Sequence, residues 1–141
     1  MVRTSPVWSP DSVKVAFSRR ITFVNSDLFL VGADGTSSTN LTNSSTTELW
    51  PAWSPDGARI AVTGGTDLNY EVYVVLTDGT GATNLSMTAS GDLFPQWSPD
   101  GAIVSFETSG EILAAPSTGG PVTNITNDPS NDLEAAWRPD P

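Results

Sequence analysis

The 141-residue sequence predicts an all-β protein built from three consecutive four-stranded antiparallel units. Three observations predict it. A short motif recurs four times, as Trp8-Ser-Pro-Asp-Ser12, Trp53-Ser-Pro-Asp-Gly57, Trp97-Ser-Pro-Asp-Gly101 and Trp137-Arg-Pro-Asp140, at spacings of 45, 44 and 40 residues. Two other landmarks keep constant offsets: Asn40, Asn84 and Asn124 each stand 13 residues before the next motif Trp, and the turn glycines Gly35, Gly79 and Gly119 stand five before those Asn. No stretch of useful length shows helical periodicity.

Each unit reads as four strands, a to d. Strand a ends in the motif Trp, as in Pro51-Ala-Trp53. Ser-Pro-Asp-Gly then makes a tight turn, with Pro fixing φ and Gly supplying φ > 0. Strand b alternates, with Val13, Val15 and Phe17, then Ile60 and Val62, then Val104 and Phe106 facing one way. A b–c loop follows, expected at 19–26 in unit one and 64–69 in unit two. Strand c is continuously apolar at 28–31, 72–75 and 112–115, and an Asp-Gly turn leads to strand d around Asn-Leu-Thr. A 40–45-residue period holding four strands is the signature of a β-propeller blade. The blades are expected at about 5–43, 50–87 and 94–127, with a surplus innermost strand at 133–138.

Trp-Ser-Pro-Asp-Gly, a β-branched strand, an acidic residue opening strand c, Asp-Gly-Thr and Asn-Leu-Thr together resemble the WD40-like PD40 repeat of TolB-type propellers. The resemblance covers essentially the whole chain. It implies a propeller fold, a protein-binding role, a periplasmic or extracellular setting, or attachment to a larger hydrolase such as a serine peptidase. Unit three departs most, with Thr118-Gly119-Gly120-Pro121 in place of Asp-Gly-Thr.

Three blades do not close a ring, because propellers use four to eight. An open arc leaves two blade faces in water. The sequence therefore suggests either a piece of a longer protein or a homodimer closing six blades, with the C-terminal strand of one chain entering the first blade of the other. Asp132 keeps the acidic residue five before its Trp, whereas Trp8 has Arg3 there, which favours the exchanged strand.

Composition narrows function. Cys and His are absent, so disulfides, Cys or His nucleophile–base pairs and soft-ligand metal sites are excluded. A net charge of −10 disfavours nucleic acid and anionic membrane surfaces. No apolar run reaches a membrane span, and the first residues lack a signal-peptide core. The expected function is a non-catalytic module for a protein or basic peptide. Self-assembly without a ligand is the alternative, and nothing singles out a glycosidase-like carboxylate pair among the repeated acids.

Candidate binding residues are acids that recur at two positions. Glu48, Asp92 and Asp132 stand five before a Trp, and Asp27, Glu71 and Glu111 open strand c, eight before the turn Gly. Strand alternation gathers all six on one face, around the mouth of the channel. They suit a basic peptide or a hard cation, or equally a structural role in which each accepts backbone amides in every blade. Arg19 and Arg20 are the asymmetric candidates, free to meet a partner or to pair with Asp27. No cofactor is expected other than weakly bound calcium, for which Asp11, Asp56 and Asp100 are the candidates although one carboxylate per turn supplies few oxygens. The motif Trp residues read as inter-blade packing. The Asn-x-Ser/Thr sequences at Asn40, Asn43, Asn84 and Asn124 match glycosylation acceptors, three of them at the repeated strand-d position.

Overall fold

The computed structural model describes residues 6–66, 69–128, 130–133 and 135–137. These residues contain no helix. Twelve strands form three four-stranded antiparallel sheets in simple meander order. Blade 1 holds β1 (Val7–Trp8), β2 (Lys14–Arg20), β3 (Ser26–Gly32) and β4 (Thr39–Asn40). Blade 2 holds β5 (Thr47–Trp53), β6 (Arg59–Thr66), β7 (Asn69–Leu76) and β8 (Ala82–Asn84). Blade 3 holds β9 (Asp92–Trp97), β10 (Ile103–Thr108), β11 (Glu111–Pro116) and β12 (Thr123–Asn124). The first strands converge, with β5 touching both β1 and β9.

The repeated turn is held by its own side chains. Ser54 Oγ accepts the Arg59 amide at 3.0 Å and donates to Asp56 Oδ1 at 2.5 Å, and the Asp56 carboxylate also caps the Ala58 amide. Ser9–Asp11 and Ser98–Asp100 repeat the arrangement at 2.6 Å. The fourth turn residue is left-handed in each copy: Ser12 (φ 62), Gly57 (φ 70) and Gly101 (φ 70). Gly has no Cβ to clash there, so Ser12 is the strained member of the set.

The b–c connections are tighter than the sequence suggests. Arg19 and Arg20 belong to β2, paired with Asp27 and Ser26, and the turn shrinks to residues 21–25. In blade 2 the ladder runs on to Thr66↔Asn69. Polar side chains end a hydrophobic pattern without ending backbone pairing, so the pattern underestimates strand length.

Apolar faces meet between blades. Ala61, Val72, Val74 and Leu85 of blade 2 pack with Trp97, Val104, Phe106 and Ala115 of blade 3. Blade 1 contributes Ala16, Leu28 and Leu30 against Ile60, with Trp53 alongside. Each motif indole also bonds to the blade before it: Trp53 Nε1–H donates to the Val7 carbonyl at 3.1 Å and Trp97 Nε1–H to the Ala52 carbonyl at 2.9 Å. The motif Trp residues thus pack between blades wherever a preceding blade exists. Trp97 is 8 % exposed, whereas Trp8, with no blade before it, is 59 % exposed.

The expected surplus strand makes no ladder in its described residues. Trp137 still takes the motif position: its indole donates to Ser105 Oγ at 3.1 Å, and Ser105 Oγ reaches the Gln96 carbonyl at 3.4 Å. Ser105 pairs with Gln96 as Ala61 pairs with Ala52, so its hydroxyl relays the bond that an indole makes directly in the other seams.

Candidate functional site

Alternating strand direction gives the disc two chemically different faces. The lower face carries the a–b and c–d turns, with Asp11, Asp56, Asp100, Asp34 and Asp78 exposed. The hydroxyls of Ser9, Ser54, Ser98, Thr36 and Thr80, followed by turn amides, hold these five carboxyls below the usual aspartate range. Arg59 is anchored beside them. Its guanidinium lies 4.7 Å from the Trp97 ring, donates to Ser117 Oγ at 3.0 Å and forms an ion pair with Asp56 at 3.7 Å.

The upper face carries the b–c turns and d–a connections, and all six candidate carboxylates lie there. Asp27, Glu48, Glu71 and Asp92 are buried, and Glu111 and Asp132 are half-buried. Their partners are hydroxyls and an amide side chain of the same or the preceding blade. Thr42 Oγ1 accepts the Leu28 amide and donates to Glu48 at 2.9 Å. Ser86 Oγ accepts the Val72 amide and donates to Glu71 at 2.7 Å. Thr126 Oγ1 accepts the Ile112 amide and donates to Glu111 at 2.8 Å. Ser44 and Thr46 also donate to Glu48, Asn40 Nδ2 donates to Asp27 at 2.6 Å, and Thr88 bridges both oxygens of Asp92 at 2.9 Å. Asp132 is held through its backbone, which donates to the Gly110 carbonyl at 2.7 Å.

These bonds tie strand d and the d–a connection onto strand c. Burial pushes the Glu48 and Asp92 carboxyls above their usual range, against the hydroxyls that favour the charged form. The Ser/Thr hydroxyls of the Asn40, Asn84 and Asn124 sequences are engaged in the same bonds. Among the described residues, no three Asp or Glu side chains come together as a metal site would require.

The upper face also shows large apolar side chains to solvent. The b–c turn of blade 1 projects Phe23 and Val24, 97 % and 86 % exposed, with Ile21 and Arg20 beside them. The turn is held in place: Asn25 Nδ2 donates to the Ser44 carbonyl at 2.9 Å and Thr47 Oγ1 to the Val24 carbonyl at 3.0 Å. Nearer the axis, the Trp50 and Phe94 rings meet at a tilt across neighbouring first strands, with centroids 4.4 Å apart. Both sit at register shifts in β5 and β9 with left-handed backbones (φ 50 and φ 55), an uncommon state for aromatic residues. Arg19 turns elsewhere. Its guanidinium lies 4.2 Å from the Phe29 ring and 5.2 Å from Phe17, over the open face of blade 1.

A family model described as the TolB beta propeller domain, PD40, matches residues 1–111. The chain belongs to the PD40 family. Its similar solved structures include one assigned as TolB from Agrobacterium tumefaciens, at 23 % identity and TM-score 0.74, covering 87 % of this chain and 49 % of that one. TolB from Acinetobacter baumannii matches at 18 % identity and TM-score 0.72, covering 89 % and 32 %. A puromycin hydrolase complexed with PGG matches at 14 % identity and TM-score 0.69, covering 88 % and 22 %. The chain thus spans less than half the length of each, and the likeness is one of fold. No match was found among curated protein sequences.

Within this PD40 chain, sequence reasoning passed over Trp50, Phe94 and Phe23. Trp50 and Phe94 each stand three residues before a motif Trp, an offset that was visible. Phe23 has no counterpart in the other units, and only its exposure marks it.

Proposed function

We propose that this PD40 chain is a non-catalytic binding module that presents its upper face to a protein or peptide partner. One observation carries the reading: Phe23 and Val24 are almost fully exposed on a turn that is hydrogen-bonded to the next blade. Large apolar side chains held in water at a fixed position are a feature of interaction surfaces. Trp50 and Phe94 extend the surface toward the axis, and Arg20 borders it. In this reading Asp27, Glu48, Glu71, Asp92, Glu111 and Asp132 shape the face from beneath and add negative potential for a basic partner. Arg19 supports the first blade face.

The unpartnered faces at Trp8 and Ile125, each 59 % exposed, support a second copy as the supplier of the missing blades, giving a six-bladed ring. The likeness to a puromycin hydrolase supports a second reading, in which the same upper face meets another domain of a larger enzyme.

The test is a selection of peptides from a random library on the intact chain, followed by affinity measurement with Phe23→Asp and Val24→Asp. Binding should weaken at least about tenfold in each variant, the usual loss at an apolar anchor. Enriched peptides that bind both variants unchanged would contradict the assignment of this face.

A further inference from the structure

The seam between blades 1 and 2 is emptier than the seam between blades 2 and 3, and the difference can be traced residue by residue. Blade 3 buries Phe106 in its seam, with Val122 packed against the same cluster. The equivalent of Phe106 in blade 2 is Val62, which pairs with Tyr73 as Phe106 pairs with Leu113. The equivalent of Val122 is Ala82, two residues before Asn84. Tyr73 does not make up the loss, because its ring lies against Gly64, where any Cβ would come within 3.0 Å of it. An open cavity of about 350 Å³ results, lined by Leu41 of blade 1 and by Val62, Tyr73, Val75, Ala82 and Glu48 of blade 2. That volume lies within the range of small-molecule sites.

The cavity has one chemically distinctive end. Glu48 meets three hydroxyls but no cation, since Arg59–Asp56 is the only ion pair among the described residues. A carboxylate offers about four acceptor positions, so three hydroxyl donors leave one unused. Asp27 adds a second negative group close enough to act on Glu48, and its Oδ1 is buried without a hydrogen-bond partner. Buried carboxylates without a counter-charge favour a cation, and the aliphatic walls favour an apolar body.

We propose that this inter-blade cavity binds a small ammonium ligand with an apolar body, an alkyl or benzylic amine. Its N–H donates to Glu48, and its body packs on Leu41, Val62, Val75 and Ala82. An anionic ligand of the same shape is repelled by Glu48 and Asp27, and a neutral one forgoes the charge-assisted bond.

The experiment titrates the intact chain with benzylammonium, benzyl alcohol and benzoate, followed by amide chemical shifts at neutral pH. Benzylammonium should shift the amides of Leu41, Tyr73 and Ala82 saturably and bind at least about tenfold more tightly than benzyl alcohol, and benzoate should leave them unmoved. Val62→Phe and the milder Ala82→Val install the residues blade 3 already carries. They should keep a dispersed folded spectrum and abolish the saturable shifts. Shifts that fail to saturate by about 10 mM, benzoate binding as well as benzylammonium, or undiminished binding in folded Val62→Phe or Ala82→Val would each overturn the site.

Discussion

The indole N–H of Trp97 donates to the carbonyl of Ala52 at 2.9 Å, so the motif residue of one blade is bonded to the first strand of the blade before it. Trp53 makes the same bond to Val7. The motif is therefore a device for joining blades. Trp97→Ala should cost about 3–5 kcal/mol, the range for truncating a buried aromatic, with the Ala52 carbonyl also losing its partner. Trp8→Ala should cost under about 1 kcal/mol in the isolated chain, because its ring is already in water. Urea denaturation of the two variants side by side measures the contrast.

Ser12 holds the left-handed turn position that Gly57 and Gly101 occupy in the other blades. Ser12→Gly should stabilise the chain by about 0.5–1 kcal/mol, the left-handed penalty less the entropy that Gly adds to the unfolded state. Gly57→Ala should destabilise by a similar amount. A shift of the thermal midpoint upward for the first and downward for the second is the expected pair of results.

Stability should peak at mildly acidic pH. Burial pushes Glu48 and Asp92 above their ordinary values of 4.5 and 3.8, so the folded state holds those protons more tightly than the unfolded chain does. Stability therefore rises as pH falls from neutrality through the raised values toward the ordinary ones. Asp11, Asp34, Asp56, Asp78 and Asp100 act oppositely: each is held below 3.8, and the stability each contributes is lost as pH falls through its depressed value. Denaturation between about pH 3 and pH 8 should show a maximum near pH 4–5. Glu48→Gln should flatten the neutral-side slope.

Much of this fold was legible because turns and Trp anchors recur at fixed offsets, and a recurring unit constrains every copy. The Ser-Pro-Asp-Gly hairpins and the apolar strands b and c were read directly from that repetition. Strand ends were not, since Arg19 and Arg20 continue a backbone ladder that no hydrophobic pattern marks. The acidic positions were found, but their burial was not, because it depends on hydroxyls that for Glu71 and Glu111 lie a full hairpin away in sequence. A signal was present: Thr42, Ser86 and Thr126 each follow the strand-c acid by 15 residues. Trp50 and Phe94 kept their own offset, which the first and fourth copies break with Ser5 and Glu134. The cavity could be seen only by comparing Val62 with Phe106, because a missing volume has no signature in a single unit.

We propose that a second copy covers the exposed Trp8 and Ile125 faces and so closes the ring. Light scattering on the purified chain at micromolar concentration tests it most directly. A species of twice 14.8 kDa is the predicted result. A stable 14.8 kDa monomer would contradict it.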